Sequence, residues 1–255
     1  MPTTRLSLIA LAGLKLVRPG DRLDALIAQA LQANAIGLAD GDVLVVAQKI
    51  VSKAEGRQVA LADVVPSVRA QALAAETGKD ARLVELILAE SVRVVRSRPQ
   101  LIIVEHRRGY VMANAGIDHS NVEQHGDGQV LLLPEDADAS AEALRSALAA
   151  RFGCRLAVIV SDSFGRAWRR GTVGVALGAA GLPSLLDLRG RPDLFGTALE
   201  VTQTGFADEI AAAAGLLMGQ ADEALPVVIV RGLSWTAPAA PAASLLRPPA
   251  EDLFR

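Results

Sequence analysis

The chain has 255 residues, 26 Lys+Arg against 28 Asp+Glu, a formal net charge of −2 and 51% hydrophobic residues. That length suits one large domain or two small ones, the apolar content gives a sizeable core and excludes intrinsic disorder, and a near-neutral charge supplies no field for steering toward nucleic acid. Aromatic residues are only 3%, too few for base-stacking platforms, and the single cysteine, Cys154, excludes an internal disulfide framework and suits a reducing, cytoplasmic setting.

The N-terminal run after Arg5 imitates a short signal peptide, but its Ala10-Leu11-Ala12 lies inside the apolar stretch, so a buried strand near 5–11 is expected instead. No run approaches the roughly 20 apolar residues that cross a bilayer. Pro19-Gly20-Asp21 is expected to cap a helix over 23–34 that Gly37 stops, and the apolar run 43–47 predicts a buried strand from whose end the polar QKIVSKAEGR segment departs. Two helices follow, capped by Ser67 and Asp80, the second running through RLVELILAESVRVV toward Pro99. Strands at 101–105 and 110–113 flank a His-Arg-Arg-Gly turn, and residues 114–128 form a polar loop that is costly unless it binds something. A strand at 130–133, a helix over 139–151 and a strand at 156–160 running into SDSFGRAWRRG come next. A small-residue stretch at 174–182 precedes a helix over 208–218 with Asp208 as N-cap and Gly219 as stop, then a strand at 226–230. The expected organisation is one domain over 1–235, an Ala/Pro linker over 236–243 and a docking segment over 244–255. The fold class is mixed α and β (α+β), and neither a dinucleotide-binding nor a P-loop glycine signature is present.

Three polar loops concentrate the chemistry. Lys49, Lys53 and Arg57 are spaced by four, so they share one face of a helix or converge from a loop on phosphate oxygens. Asp118, Ser120 and Asn121 offer hard oxygen donors suited to Mg²⁺ or Mn²⁺. Ser161, Asp162 and Ser163, at the end of a buried strand, stand before Arg166, Arg169 and Arg170, an oxygen-ligand set beside guanidinium groups. His106, His119 and His125 lack metal-site spacing and are expected at the surface, and Trp168 is expected as a packing anchor.

GDVLVVAQKIVSKAEGR, VMANAGIDHSN, VIVSDSFGRAWRRG, GAAGLPSLLDLRGRPDLFG, VTQTGFADEIAAAAGLLMGQ and LLRPPAEDLFR, in this order, resemble the coenzyme F420-0:γ-glutamyl ligase family from about Leu14 to the C-terminus. The resemblance implies a family-specific fold, an intertwined homodimer, and a GTP-dependent ligase that adds L-glutamate to coenzyme F420-0, a deazaflavin phosphodiester, and then γ-linked glutamates. It implies two divalent cations, Mg²⁺ or Mn²⁺, with a potassium ion as activator. Carried over position by position, Asp118 and Asp162 fall on ligands of one cation, and Ser163 and Gln220 on contacts of the second. Leu14, Lys15, Leu16, Val17, Gln48, Lys53, Asn121 and Gln220 fall on nucleotide-binding positions, with the loop around 220 closing over the nucleotide. Arg166 and Arg169 either stabilise phosphate charge or hold the acceptor's phosphodiester. The chain departs from the pattern at RRGTVGVA, where Gly174 replaces an aspartate, which leaves the exact acceptor and the number of glutamates open. The other readings are a metal-dependent nucleotide hydrolase or phosphatase, a ligase with a changed acceptor, and a non-catalytic nucleotide-binding module.

Overall fold

A computed structural model describes residues 5–122 and 128–252. In its first half the chain forms β1 (Ser7–Ala10), α1 (Leu23–Ala33), β2 (Val43–Ala47), α2 (Gln48–Ala54), β3 (Gln58–Ala60), α3 (Val68–Thr77), α4 (Ala81–Ala89), β4 (Ser91–Arg98), β5 (Leu101–His106) and β6 (Val111–Ala113). The second half adds β7 (Gln129–Leu131), α5 (Ala137–Phe152), β8 (Ala157–Gly165), β9 (Thr172–Ala180), β10 (Leu186–Asp187), β11 (Gln203–Thr204), α6 (Phe206–Met218) and β12 (Val227–Arg231).

The central sheet has five strands in the order β1-β12-β2-β8-β9, and only β2 and β8 pair in parallel. Val43 to Val46 and Val158 to Val160 are fully buried, the continuous apolar run of a strand covered on both faces. Leu44, Val46, Val158 and Val160 pack on one side with Ile27, Leu31, Leu144 and Leu148 of α1 and α5. Val43, Val45 and Ile159 face the other way, against Ala207, Ile210, Ala211 and Ala214 of α6. A third core joins α3 and α4 to Ile102 and Val104 of β5, inside the separate sheet β4-β5-β6.

Helix α6 approaches so closely because its buried face is alanine apart from Ile210 and β9 meets it with glycine. A β-carbon on Gly174 would sit 2.4 Å from the Ala211 carbonyl oxygen, so the backbone of α6 fills the place of a side chain there. Leu177 is an extra residue in the pairing of β9 with β8, since Ser161 opposes Ala176 and Val160 opposes Gly178. This bulge reverses the strand's faces, and Gly178 meets the start of α5 instead, with a β-carbon only 2.0 Å from the Ala137 oxygen.

Several expectations are corrected. QKIVSKA is helix α2, not a loop, because Ile50 and Val51 have a core to enter. Residues 91–98 leave the preceding helix and become β4, since Val92, Val94 and Val95 are β-branched and β5 offers an antiparallel partner. SDSFG continues β8 and most of 174–182 is β9, because each satisfies the other's backbone. Asp21 accepts from the Arg18 N–H instead of capping α1, which ends before Asn34 with Ala35 left-handed, so Gly37 is not its stop. Asp208 lies within the first turn of α6, where its carboxylate accepts from the Ala176 N–H, while Gly205 stands at the N-cap. Ser67 and Asp80 do cap their helices, and Gly219 ends α6. Residues 240–242 are bonded to the body: the Ala240 N–H donates to Leu182 O at 3.0 Å, and the Ala242 N–H donates to Asp138 Oδ1 at 2.7 Å. His125 and the last three residues lie outside the described residues. No described helix is long and apolar enough to cross a membrane.

Gly178→Ala is expected to cost at least about 3 kcal/mol, because the added methyl meets backbone that cannot rotate away. Calorimetry should show Tm falling by more than about 6 °C, and an unchanged Tm would refute this packing.

Candidate functional site

The carboxyl ends of the parallel pair open into one cavity of about 1670 Å³. Strand ends of this kind are where open α/β sheets bind ligands, because the following turns diverge there. Leu14, Lys15, Leu16, Val17, Gln48, Lys53, Asp118, Asn121, Asp162, Ser163 and Gln220 all line it, so every position carried over by the resemblance reaches the same space. They come from the segment after β1, from α2, from the turn after β6, from β8 and from the loop after α6.

Helix α2 begins directly where β2 ends, which puts Gln48 at the mouth. Its Oε1 accepts from Ser52 Oγ at 2.9 Å, while its buried Nε2 has no partner among the described residues. An amide donor left so costs about 1–3 kcal/mol unless a ligand oxygen meets it.

One turn on, Lys49 and Lys53 point at the 118–121 turn. Lys49 Nζ lies 2.6 Å from Asp118 Oδ2, 2.7 Å from Ser120 Oγ and 3.3 Å from the Ser120 carbonyl oxygen. Lys53 Nζ donates to the Asn121 carbonyl at 2.6 Å. Asn121, with φ of 54°, donates from Nδ2 to Ala221 O at 3.0 Å and thereby ties the turn to the loop that carries Gln220. Asp118 is held by a backbone bridge to Leu131, and its carboxylate accepts from the Ser120 N–H and Oγ.

Strand alternation aims the β8 residues. Val160 and Phe164 pack on the side of α2, so Asp162 faces that side, while Ser161 Oγ lies 4.0 Å from Met218 Sδ on the α6 side, where Ser163 also points. Burial pushes the Asp162 carboxyl up to about 6, the Ser163 N–H and Lys49 oppose the rise, and the charge of Asp118 adds to it. Burial also raises Asp118, but bonds from Lys49 and Ser120 outweigh it and hold that carboxyl below its ordinary value. Two carboxylates that repel each other among hydroxyl and carbonyl oxygens form a hard donor set with a deficit of positive charge, which Mg²⁺ or Mn²⁺ would satisfy. Among the described residues no group of three or more His, Cys, Asp or Glu is gathered, so water, nucleotide or hydroxyl oxygens would complete the shell.

Arg166 and Arg169 line the cavity, and Arg166 Nη1 donates to the Gly171 oxygen at 3.1 Å. Arg170 is exposed and does not line it. Arg57 departs from the expected basic face: the chain has left the helix before it, and it pairs with Glu90 at 3.0 Å and donates to Leu133 O. His106 is buried, against the surface expectation, with Nδ1 accepting from the Arg108 N–H and Nε2 3.5 Å from Glu90, whereas His119 is exposed. Trp168 is 88% exposed at φ 65° and anchors no core, because the tight β8–β9 turn points it outward. The four-residue spacing marked Lys49 with Lys53 as a phosphate candidate, although the resemblance carried over only Lys53; the structure brings both to the cavity.

The family model described as F420-0:Gamma-glutamyl ligase matches residues 13–232. The chain is 48% identical over 252 residues to the coenzyme F420:L-glutamate ligase of Methanothermobacter thermautotrophicus, covering 98% of this chain and 99% of that one. It is 45% identical over 260 residues to the enzyme of the same name from Methanopyrus kandleri, covering 100% and 99% of the two chains. To that of Archaeoglobus fulgidus it is 45% identical over 230 residues, covering 90% and 89%.

Lys49→Met removes the cation that Asp118 faces. It should cost about 1 kcal/mol, or about 2–4 °C in Tm. Thermal melts in a chelator should show the loss, and melts with Mn²⁺ should recover it; equal melting of variant and wild type in chelator would contradict the pairing.

Proposed function

The chain belongs to the F420-0:gamma-glutamyl ligase family, and on that footing we propose that it adds L-glutamate, and then γ-linked glutamates, to coenzyme F420-0 with GTP as co-substrate. It is a ligase, and its family places it in coenzyme F420 synthesis. The observation that carries the finer reading is the convergence of a hard-oxygen pair, two lysines and an unmet amide donor on one cavity.

A carboxylate does not condense with an amine in water, since its oxygen is no leaving group. The proposed route is an acyl phosphate. The acceptor's carboxylate oxygen attacks the γ-phosphorus of GTP, the bond to the β–γ bridging oxygen breaks, and GDP leaves. The neutral amine of glutamate then attacks the acyl carbon, inorganic phosphate departs with the carboxylate's former oxygen, and the amine's surplus proton is lost to solvent.

Such transfers need positioning and charge neutralisation more than a protein nucleophile, so no residue is assigned that role. Lys49 and Lys53 are placed to neutralise phosphate oxygens, Gln48 Nε2 to donate to a nucleotide oxygen, and Asn121 to hold the turn against the loop at 220. Leu14 to Val17 wall the nucleotide side. Asp118 and Asp162 would hold one divalent cation, Ser163 and Gln220 would contact the second, and a potassium ion is the expected activator. When bound, the cations supply neutralisation of the phosphate charge. A cytoplasmic setting and a homodimer complete the proposal. The hairpin β10–β11 supports the dimer, since its intervening loop exposes Leu194 and Phe195 at 97% and 93%, a pattern typical of interfaces.

The test is to combine protein, F420-0, L-glutamate, GTP and Mn²⁺, omit each in turn, and follow product mass and GDP. A glutamate-sized gain that needs every component is expected; GDP without mass gain would replace this reading with a hydrolase or a ligase of a changed acceptor. Asp162→Asn should lower turnover by at least about 100-fold while circular dichroism shows the fold retained.

Mn²⁺ affinity of the nucleotide-free protein provides an independent check. Because Asp162 is raised to about 6, it is protonated below that pH and must ionise to accept a cation. Affinity should climb between pH 5 and pH 7 with proton release; a flat profile would remove Asp162 from the cation site.

A further inference from the structure

The cavity is larger than the roughly 300–1,000 Å³ of a single-ligand pocket, and its excess lies along a limb built by another part of the chain. That limb is walled by the sheet β4-β5-β6. On β5, Ile102 and Val104 enter the third core, so Leu101 and Ile103 face the opposite way, into the limb. The antiparallel register sets Arg98 beside Leu101 and Arg96 beside Ile103, which puts guanidinium groups around an apolar floor. The C-terminal segment forms the facing wall: Leu246 packs on Gly109, where a β-carbon would lie 2.9 Å from its Cδ1, and Arg247 follows it into the limb.

Charge pairing and position together mark these arginines: they line the cavity and carry no neutralising carboxylate among the described residues. Elsewhere Arg82 pairs with Asp80, Arg145 with Glu142, Arg189 with Asp187 and Arg231 with Asp42, and on β4 itself Arg93 pairs with Glu105. The guanidinium groups of Arg96, Arg98 and Arg247 have no hydrogen-bond or ion-pair partner among the described residues, and Asp252 is the acidic side chain on that wall. Guanidinium groups left unpaired beside apolar surface suit a ligand that joins an apolar body to a phosphoryl or carboxylate anion.

We propose that this limb is the acceptor subsite: the apolar part of the acceptor lies on Leu101 and Ile103, and its phosphodiester is held by Arg96 and Arg98, which thereby set acceptor specificity. The proposal rests on the ligase reading, under which the acceptor must reach the same cavity as the nucleotide while leaving the cation side free. Continuity of the limb with that cavity, and its charge, favour a small anionic acceptor over a second copy of the chain.

The experiment compares wild type, Arg96→Gln, Arg98→Gln, the double variant and Arg93→Gln. KM is measured separately for F420-0, GTP and L-glutamate, F420-0 binding to each protein alone is measured by equilibrium dialysis, and light scattering gives each mass. Each limb arginine should raise the KM for F420-0 by about tenfold and the pair by about 100-fold, with KM for GTP and glutamate within about twofold and Arg93→Gln like wild type. An unchanged acceptor KM in the double variant overturns the proposal, as does a changed mass without a changed acceptor KM, which would assign the face to a second copy. If wild type transfers no glutamate, the ligase reading fails by itself, and dialysis then decides the limb: F420-0 binding that the double variant loses supports it, whereas equal binding or none overturns it.

Discussion

The parallel pair β2–β8 has no solvent face. Its side chains alternate between a core with α1, α2 and α5 and a core with α6, so both layers must close before either strand is stable. Parallel pairing also sends both strand ends the same way, and each end is followed at once by chemistry: Gln48 after Ala47, and Asp162 after Ser161. Only a helix that starts without a spacer, and a strand that continues past its parallel partner, bring the two within one cavity. The glycines of β9 follow from the same demand, since α5 and α6 can cover the sheet so closely only where no side chain intervenes.

Within that frame the electrostatics are unbalanced by design of the backbone. Asp118 is pinned by its bridge to Leu131 and Asp162 by the β8–β9 pairing, so neither backbone is free to swing its carboxylate away from the other. Lys49 relieves part of the repulsion, and the carboxyl of Asp162 is raised chiefly by its burial, with the charge of Asp118 adding to it. A site of this kind costs folding stability, and a ligand that bound it would offset that cost. Glycine at 174 has a physical reason as well: any side chain there would strike the Ala211 carbonyl.

Local signals were legible wherever local energetics decide. Ser67 and Asp80 cap their helices because a side-chain oxygen meets a nearby N–H, and Gly219 ends α6 because only glycine accepts its backbone readily. Continuous apolar runs marked β2 and the start of β8, since burial on both faces leaves that trace. LAESVRVV was less decisive: its apolar spacing serves a helix as well as a strand, and β5 settled the choice by offering a partner. His106 and Trp168 exchanged their expected environments because burial of one polar or aromatic side chain is set by neighbours distant in sequence, Glu90 for the first and the turn at 166–171 for the second.

By itself the sequence determined the mixed α and β class, the family and a list of residues that line one cavity, because those depend on residue type and on motifs within single segments. The tertiary structure alone decided that Arg57 leaves the site while Lys49 enters it, that Gln48 carries an unmet donor, and that Arg96 and Arg98 reach the same cavity. Those outcomes depend on strand register and on which face a strand presents, and both are set by pairing between segments far apart in the chain.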